Sequence, residues 1–442
     1  MDFITGGIIC IGLLLGLMGA GIQIGLAFIL SGFLVSTLLL GFNGSLSLVG
    51  QVAYFSIASP TWACIPLFIL MGSFAAGGGF ARRAYNGVNA LSFGMPGSLG
   101  VATCFSCAVF GAISGSSIAT TAIFGKMALP EMNRLRYNQT FSVGCIASAG
   151  TFASMIPPSM MMIIYALFTQ QSVGKLFAAG VIPGIITAAA YSFYIIYRAK
   201  TNPALAPAPD IKDPSYGGMN RWKEAVQMWP VIVIATIVLG GIYSGLFTPT
   251  EAAAAGSLAT LLFGFLLGSF RRMGMIIHAM KESANTTAML FLINVGALFY
   301  SRVLAVTQLP TELTMMLQGL DIPRIFILFG ILLIMFFLGM IMVPVGIYAL
   351  TLPIVLPILV NLNYDPIWFG VIALKLTEIG AITPPVGLNV YAMKGVIPRE
   401  MNISLEDIFR GIWPFCMCDI IILVVLIMFP ILSTWLPDLL LG

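Results

Sequence analysis

Long apolar runs separated by short polar connections repeat from one end of the 442-residue chain to the other. A helix needs about 20 apolar residues to cross roughly 30 Å of hydrocarbon. On that measure the pattern predicts spans at residues 4–20, 22–41, 62–80 and 176–197, and again at 229–246, 250–268, 283–304 and 413–435. Four other runs do not fit a simple crossing. Residues 95–130 are apolar but carry GAISGSS at 111–117, which leaves two arms too short to cross at about 1.5 Å per residue. Residues 141–168 are interrupted by GTFASMIPPS at 150–159, where Pro157 and Pro158 remove two backbone donors and clash with the preceding turn. Both features return later: residues 325–360 turn near 339–346, and residues 367–393 are broken by GAITPPVG at 380–387. The polar, Pro-rich stretch 198–226 has no hydrophobic period and reads as a connector between two halves, 1–197 and 227–442.

Smaller correspondences strengthen the division. Pro157 and Pro158 followed by Tyr165 answer Pro384 and Pro385 followed by Tyr391, and Ser172, Phe177 and Pro183 answer Ser404, Phe409 and Pro414. Gly111 precedes Leu129 and Pro130 much as Gly339 precedes Leu356 and Pro357. Their common order at a near-constant offset points to an internal repeat.

Composition places the whole pattern in a membrane. Charged residues make up 8% of the chain and hydrophobic ones 59%, with a mean hydropathy of +1.02, whereas soluble chains carry roughly 25% charged residues. No block remains for a soluble catalytic domain, and a net charge of +4 gives no support for nucleic-acid binding. The seven cysteines lie mostly within apolar runs and form no disulfide framework. Cys104 and Cys107 have the spacing of a metal knuckle but no second pair, so no transition metal is expected. The run beginning at Met1 lacks a basic leader and reads as a retained helix.

Charge also orients the chain. Lys and Arg concentrate in cytoplasmic loops, and sixteen of the twenty fall into clusters from Arg82 to Arg410, including Lys126, Arg134, Lys212 and Arg271; only Lys175, Arg302, Arg324 and Lys375 lie elsewhere. Both flanks of residues 95–130 are then cytoplasmic, and both flanks of 325–360 are external. Each of these segments must turn back within the membrane, and the second half repeats the first with opposite topology. The expected fold is all-α and polytopic: an inverted repeat with two re-entrant hairpins and two broken helices.

Irregular backbone survives in lipid only where protein or a cavity satisfies it, so each hairpin tip is expected to pack on the break of its own repeat. Ser114, Ser116 and Ser117, turned by Gly115, bring hydroxyls to the first tip. Gly150, Thr151, Ala153, Ser154 and Ile156, ahead of Pro157 and Pro158, bring mostly carbonyls from the first break. Gly380, Thr383, Pro384 and Pro385 do so from the second, with Gly339 and Met342 at the facing tip. Neutral oxygens of this kind suit a monovalent cation, and sodium is the expected coupling ion; no other cofactor is implied. Small residues also serve plain helix packing, and double prolines also simply kink helices. Among the charges, Glu251 behind Thr248 reads as a helix cap, Lys375 and Glu378 as a pair three residues apart, Arg302 and Asp419 as residues near helix ends, and His278 as a solvated loop residue.

The segments GAISGSSIATTA, GTFASMIPPS, FTPTEAAA and ITPPVGLNVYAMKG resemble those of the large membrane subunit (DctM-like) of tripartite ATP-independent periplasmic (TRAP) transporters, over nearly the whole chain. The resemblance implies an elevator-type, sodium-driven importer of organic acids such as a C4-dicarboxylate, in the bacterial inner membrane. It also implies a periplasmic substrate-binding protein and a small membrane subunit as partners. By the same resemblance, Ser114 and Ser116 with the Gly150–Pro158 break form one sodium site, and the Gly339 region with Gly380, Thr383 and Pro385 the other. One departure stands out: many members have an aspartate where this chain has Val343. A receptor-independent sodium/dicarboxylate symporter is the near alternative. An intramembrane serine protease using Ser114 or Ser116 lacks a base, and a passive channel lacks a filter repeat.

Overall fold

The computed structural model describes residues 3–208, 220–270, 272–319 and 322–442. Among the described residues there are helices and turns but no strand. The first half runs α1 (Phe3–Gly19), α2 (Ile24–Ala58), α3 (Cys64–Gly77), α4 (Phe80–Ser92), α5 (Ser98–Ser114), α6 (Ser117–Arg134), α7 (Gln139–Thr151), α8 (Met160–Thr169) and α9 (Val173–Thr201). The second runs α10 (Arg221–Val226), α11 (Trp229–Tyr243), α12 (Pro249–Leu266), α13 (Met273–Val306), α14 (Leu309–Gly319), α15 (Arg324–Gly339), α16 (Pro344–Asn361), α17 (Pro366–Ala381), α18 (Leu388–Lys394), α19 (Leu405–Met428) and α20 (Ile431–Leu441). Among the described residues, eight helices are long and apolar enough to cross a membrane. Part of the connector, with Lys212, lies outside the described residues, as does Arg271.

The expected elements are present, with corrections at their ends. The helix expected to stop near 41 does break there, at Gly41, whose φ of 76° and ψ of 166° only glycine adopts readily. The chain then continues helically to Ala58, and this added arm leaves Phe42, Leu46, Tyr54, Phe55 and Ile57 more than half exposed. Helix α13 begins ten residues before the expected 283, so His278 stands exposed on a helix and not in a loop. The last span begins at Leu405, not near 413, because Ser404 and Asp407 form a capping box, and it ends at Met428 before Pro430. Helices α4 and α14 lie in stretches where no element was expected. Glu251 completes a capping box with Thr248, as its spacing indicated.

Two bodies of packing organise the molecule. Helix α13, of 34 residues, is far longer than a bilayer core at about 1.5 Å per residue and runs against α2. Their backbones approach closely, since a Cβ on Gly296 would lie 2.4 Å from the Gly25 carbonyl oxygen. Phe28 and Tyr300 interlock beside that contact with ring centroids 5.1 Å apart. This pair, with α1, α14 and Ala349 and Leu350 of α16, encloses one hydrophobic core. A larger core lies among α3–α9, α11, α12 and α15–α19 and includes Leu290 and Ile293 of α13, and it positions the functional elements.

In each half, a helix–turn–helix (α5–α6, then α15–α16) is followed by an interrupted helix (α7–α8, then α17–α18) and a long helix (α9, then α19). Corresponding positions carry corresponding caps. Asn138 and Asp365 accept backbone N–H bonds at the starts of α7 and α17, and Ser172 and Ser404 do so at the starts of α9 and α19.

Candidate functional site

At the first turn, α5 ends on Ser114 and Gly115 reverses the chain at φ +59°, its amide donating to the Gly111 carbonyl. Ser116 is extended, and its hydroxyl oxygen accepts from the Ala119 amide at 3.4 Å, which starts α6 at Ser117. The turn rests directly on the first break. A Cβ on Gly111 would lie 2.6 Å from the Ala153 Cα, and one on Gly115 would lie 2.9 Å from the Pro158 carbonyl oxygen. In that break α7 ends at Thr151, one 3-10 turn covers Phe152–Ser154, and the Pro157–Pro158 peptide is cis before Ser159 caps α8. Ser114, Ser117, Gly150, Thr151, Ala153, Ser154, Pro157 and Pro158 are therefore brought together and buried; Ile156 is half-buried against Gly184 of α9.

The second half builds a similar contact. The turn between α15 and α16 spans 340–343, and a Cβ on Gly380 would lie 2.5 Å from the Gly339 carbonyl carbon. The Val386 amide donates to the Met340 carbonyl at 3.3 Å, joining tip to break. The Thr383 hydroxyl donates to the Ile379 carbonyl at 2.6 Å. Met342 is buried over Gly346 and not over Gly380. Pro384 and Pro385, also joined by a cis peptide, are exposed where their counterparts Pro157 and Pro158 are buried. Val343 occupies the N-cap of α16, where its side chain supplies no acceptor, in contrast to Ser116 at the cap of α6.

The two breaks meet through a residue assigned differently from sequence. Glu378, 3% exposed, places Oε1 2.5 Å from the Ser154 hydroxyl, so the second broken helix touches the first break. Lys375 does not pair with Glu378. Its ammonium donates to Asp419 at 2.6 Å and to Thr187 at 3.2 Å, and the Tyr191 hydroxyl donates to the other Asp419 oxygen at 2.7 Å. The i,i+3 spacing puts Lys375 and Glu378 on one helix, but packing of α17 against α9 and α19 selects the partners. Asp419 is thus not an end-of-helix residue; it is 1% exposed in the middle of α19. An acid within the apolar run IWPFCMCDIIILVV was the signal for a buried partner.

Buried polar side-chain atoms without a partner lie on the helices that carry the first tip and the two breaks: Thr121 Oγ1 on α6, Ser148 Oγ on α7, Glu378 Oε2 on α17 and the Asn389 carboxamide oxygen and nitrogen on α18. These helices pack on one another. Buried polar groups are normally satisfied, so such a cluster is suited to a polar or ionic ligand. Hydroxyls, carbonyls and one carboxylate, with no unpaired ammonium, fit a small monovalent cation. The chemistry of peptide cleavage is not assembled: the Ser114 hydroxyl bonds Thr120 at 3.0 Å, and His278 stands exposed on α13.

Comparison with known proteins agrees with this architecture. The profile of the tripartite ATP-independent periplasmic transporter family, DctM component, matches residues 11–432. A C4-dicarboxylate TRAP transporter large permease protein of Pseudomonas aeruginosa is 35% identical over 324 residues, covering 72% of this chain and 74% of that one. The Vibrio cholerae protein of the same description is 32% identical, with 97% of both chains covered. A sialic acid TRAP transporter large permease of Vibrio cholerae is 29% identical over 97% of each. Among solved structures, the YdaH transporter of Alcanivorax borkumensis shares the fold at a TM-score of 0.60, with 15% identity over 89% of this chain and 88% of that chain.

Proposed function

Because the chain belongs to the DctM-component family of tripartite ATP-independent periplasmic transporters, and is a multi-pass large permease and not an enzyme, we propose that it imports a small organic acid across the bacterial inner membrane, driven by sodium. The observation that carries this reading is that each hairpin turn packs on a helix break and the two breaks meet through Glu378 and Ser154, on helices that also hold unpartnered buried polar atoms. Sodium is the coupling ion. Ser114, Ser116 and Ser117 with the Gly150–Pro158 break supply oxygens on one side, and Gly339, Gly380, Thr383 and Pro385 on the other.

The halves 1–197 and 227–442 form an inverted repeat about the connector 198–226, oriented by the basic residues on the cytoplasmic side. Residues of α5–α9 and α15–α19 form the moving body, which slides as an elevator past the frame of α2 and α13. A small membrane subunit widens the frame and a periplasmic substrate-binding protein delivers the solute. A C4-dicarboxylate is the favoured solute, from the relatives of that name; the sialic acid relative keeps larger carboxylates in view.

The test is uptake of radiolabelled succinate into liposomes holding this chain, its small subunit and its receptor. An inward sodium gradient is expected to drive accumulation that a potassium gradient does not. Equal uptake without receptor and small subunit would instead identify a self-sufficient symporter.

A further inference from the structure

A cavity of mixed polar and apolar walls, its lining residues distinct from those of the tips and breaks, lies beside α2 and α13. It encloses about 460 Å³ and is lined by Gln51, Ser56 and Ser59 of the α2 arm and its end, Trp62, Gln170 just after α8, and Arg302 of α13. That volume is in the range of about 300–1,000 Å³ usual for small-molecule sites. Its walls belong to both bodies: α2 and α13 form the frame, while Gln170 closes the end of the first broken helix.

Arg302 is the charged group of this cavity, and no carboxylate lines it. Among the described residues it makes no ion pair, in contrast to Lys375, Arg134 and Arg410. A guanidinium carries five donors in a plane that matches a carboxylate edge to edge. Around it stand Ser59 and the side chains of Gln51, Ser56 and Gln170, which already donate to the Ser47 hydroxyl, the Val52 carbonyl and the Leu167 carbonyl, and Gln170 is held there in a left-handed conformation at φ +57°. Trp62, 7% exposed and braced edge-on by Phe168 and Phe291 at 6.3 and 6.5 Å, supplies an apolar wall. Arg302, Lys175 and Arg324 are also the basic residues that the charge pattern leaves on the external side.

We propose that this cavity is an anion-binding vestibule, in which Arg302 takes a carboxylate of the incoming solute in bidentate fashion before the solute reaches the moving body. Identification of the anion as the solute rests on the organic-acid reading above; anion binding itself does not. A lipid phosphate would offer related chemistry to the same guanidinium.

The test is a succinate titration of tryptophan fluorescence on the purified full-length chain in nanodiscs, without sodium or receptor. With zwitterionic lipid, a saturable change is expected, absent in Trp62→Phe and shifted at least tenfold to higher succinate in Arg302→Gln. Among the described residues the Arg302 side chain makes no hydrogen bond, so that variant should fold; Arg302→Lys, which keeps charge without the fork, should fall between. No saturable change at millimolar succinate, or an unshifted Arg302→Gln curve, would overturn the proposal. Loss of the succinate response on adding phosphatidylglycerol would overturn the solute assignment in favour of a lipid headgroup. Failure of sodium-driven uptake with intact binding would count against the transport reading alone.

Discussion

The buried pair Lys375–Asp419 is the residue-level feature with the largest expected consequence, because both side chains are almost fully buried and share further bonds with Thr187 and Tyr191. Removing one charge strands the other in a low-dielectric interior, which costs about 3–5 kcal/mol, whereas removing both with apolar groups of similar volume is often near neutral. Lys375→Met and Asp419→Leu should each lower the thermal unfolding temperature sharply in detergent, and the double variant should recover most of the loss. Additive losses in the double variant would count against the pairing. Ser116→Ala should cost about 0.5–2 kcal/mol through the lost cap and raise the sodium concentration needed for half-maximal uptake, with membrane insertion unchanged. Sequence alone singled out Lys375, Glu378 and the serines of the first turn. It could not choose their partners, because Asp419 and Ser154 are 44 and 224 residues away and meet them only through helix packing.

At the scale of elements, the hairpins and breaks were legible because their causes are local. Paired prolines cannot continue a helix, and a run of glycine and serine inside an apolar stretch cannot span lipid. The additional helices were hidden for the opposite reason. Helix α4 and the arm after Gly41 have no membrane-length apolar run of their own; α4 is amphipathic, with eight of its thirteen residues buried, and its packing on α5 makes it helical, while the arm continues α2 beyond Gly41. The asymmetry between the buried Pro157–Pro158 and the exposed Pro384–Pro385 was likewise out of reach, since both motifs are alike in sequence. The contact of tip and break can be tested directly. A Cβ added at Gly380 meets Gly339 backbone, which cannot yield as a flexible side chain would. Gly380→Ala should therefore destabilise the protein by roughly 1–3 kcal/mol and abolish sodium-driven uptake. Gly12→Ala, which meets nothing within 4 Å, should do neither.

At the scale of the molecule, the proposed division into frame and moving body predicts where a tether would stop transport. Ile24 at the start of α2 lies against Gly346 at the start of α16, its Cδ1 3.2 Å from the position of an added Cβ. Oxidising the pair Ile24→Cys and Gly346→Cys should halt uptake, and a reductant should restore it; uptake that survives complete cross-linking would rule out sliding at that boundary. Polytopic character and the repeat of parts could be read from hydropathy and charge, but the close packing of α2 on α13 could not, because it depends on which glycines allow the two helices to touch.

The most direct test of the central claim is thermal unfolding of the purified chain in sodium against the same concentration of potassium. Binding to the folded state alone adds about 2.7 kcal/mol of stability at one hundred times the dissociation constant. If the oxygens at the two tips and breaks hold sodium, the unfolding temperature rises in sodium and that rise shrinks in Ser154→Ala. Identical unfolding in the two salts would contradict it.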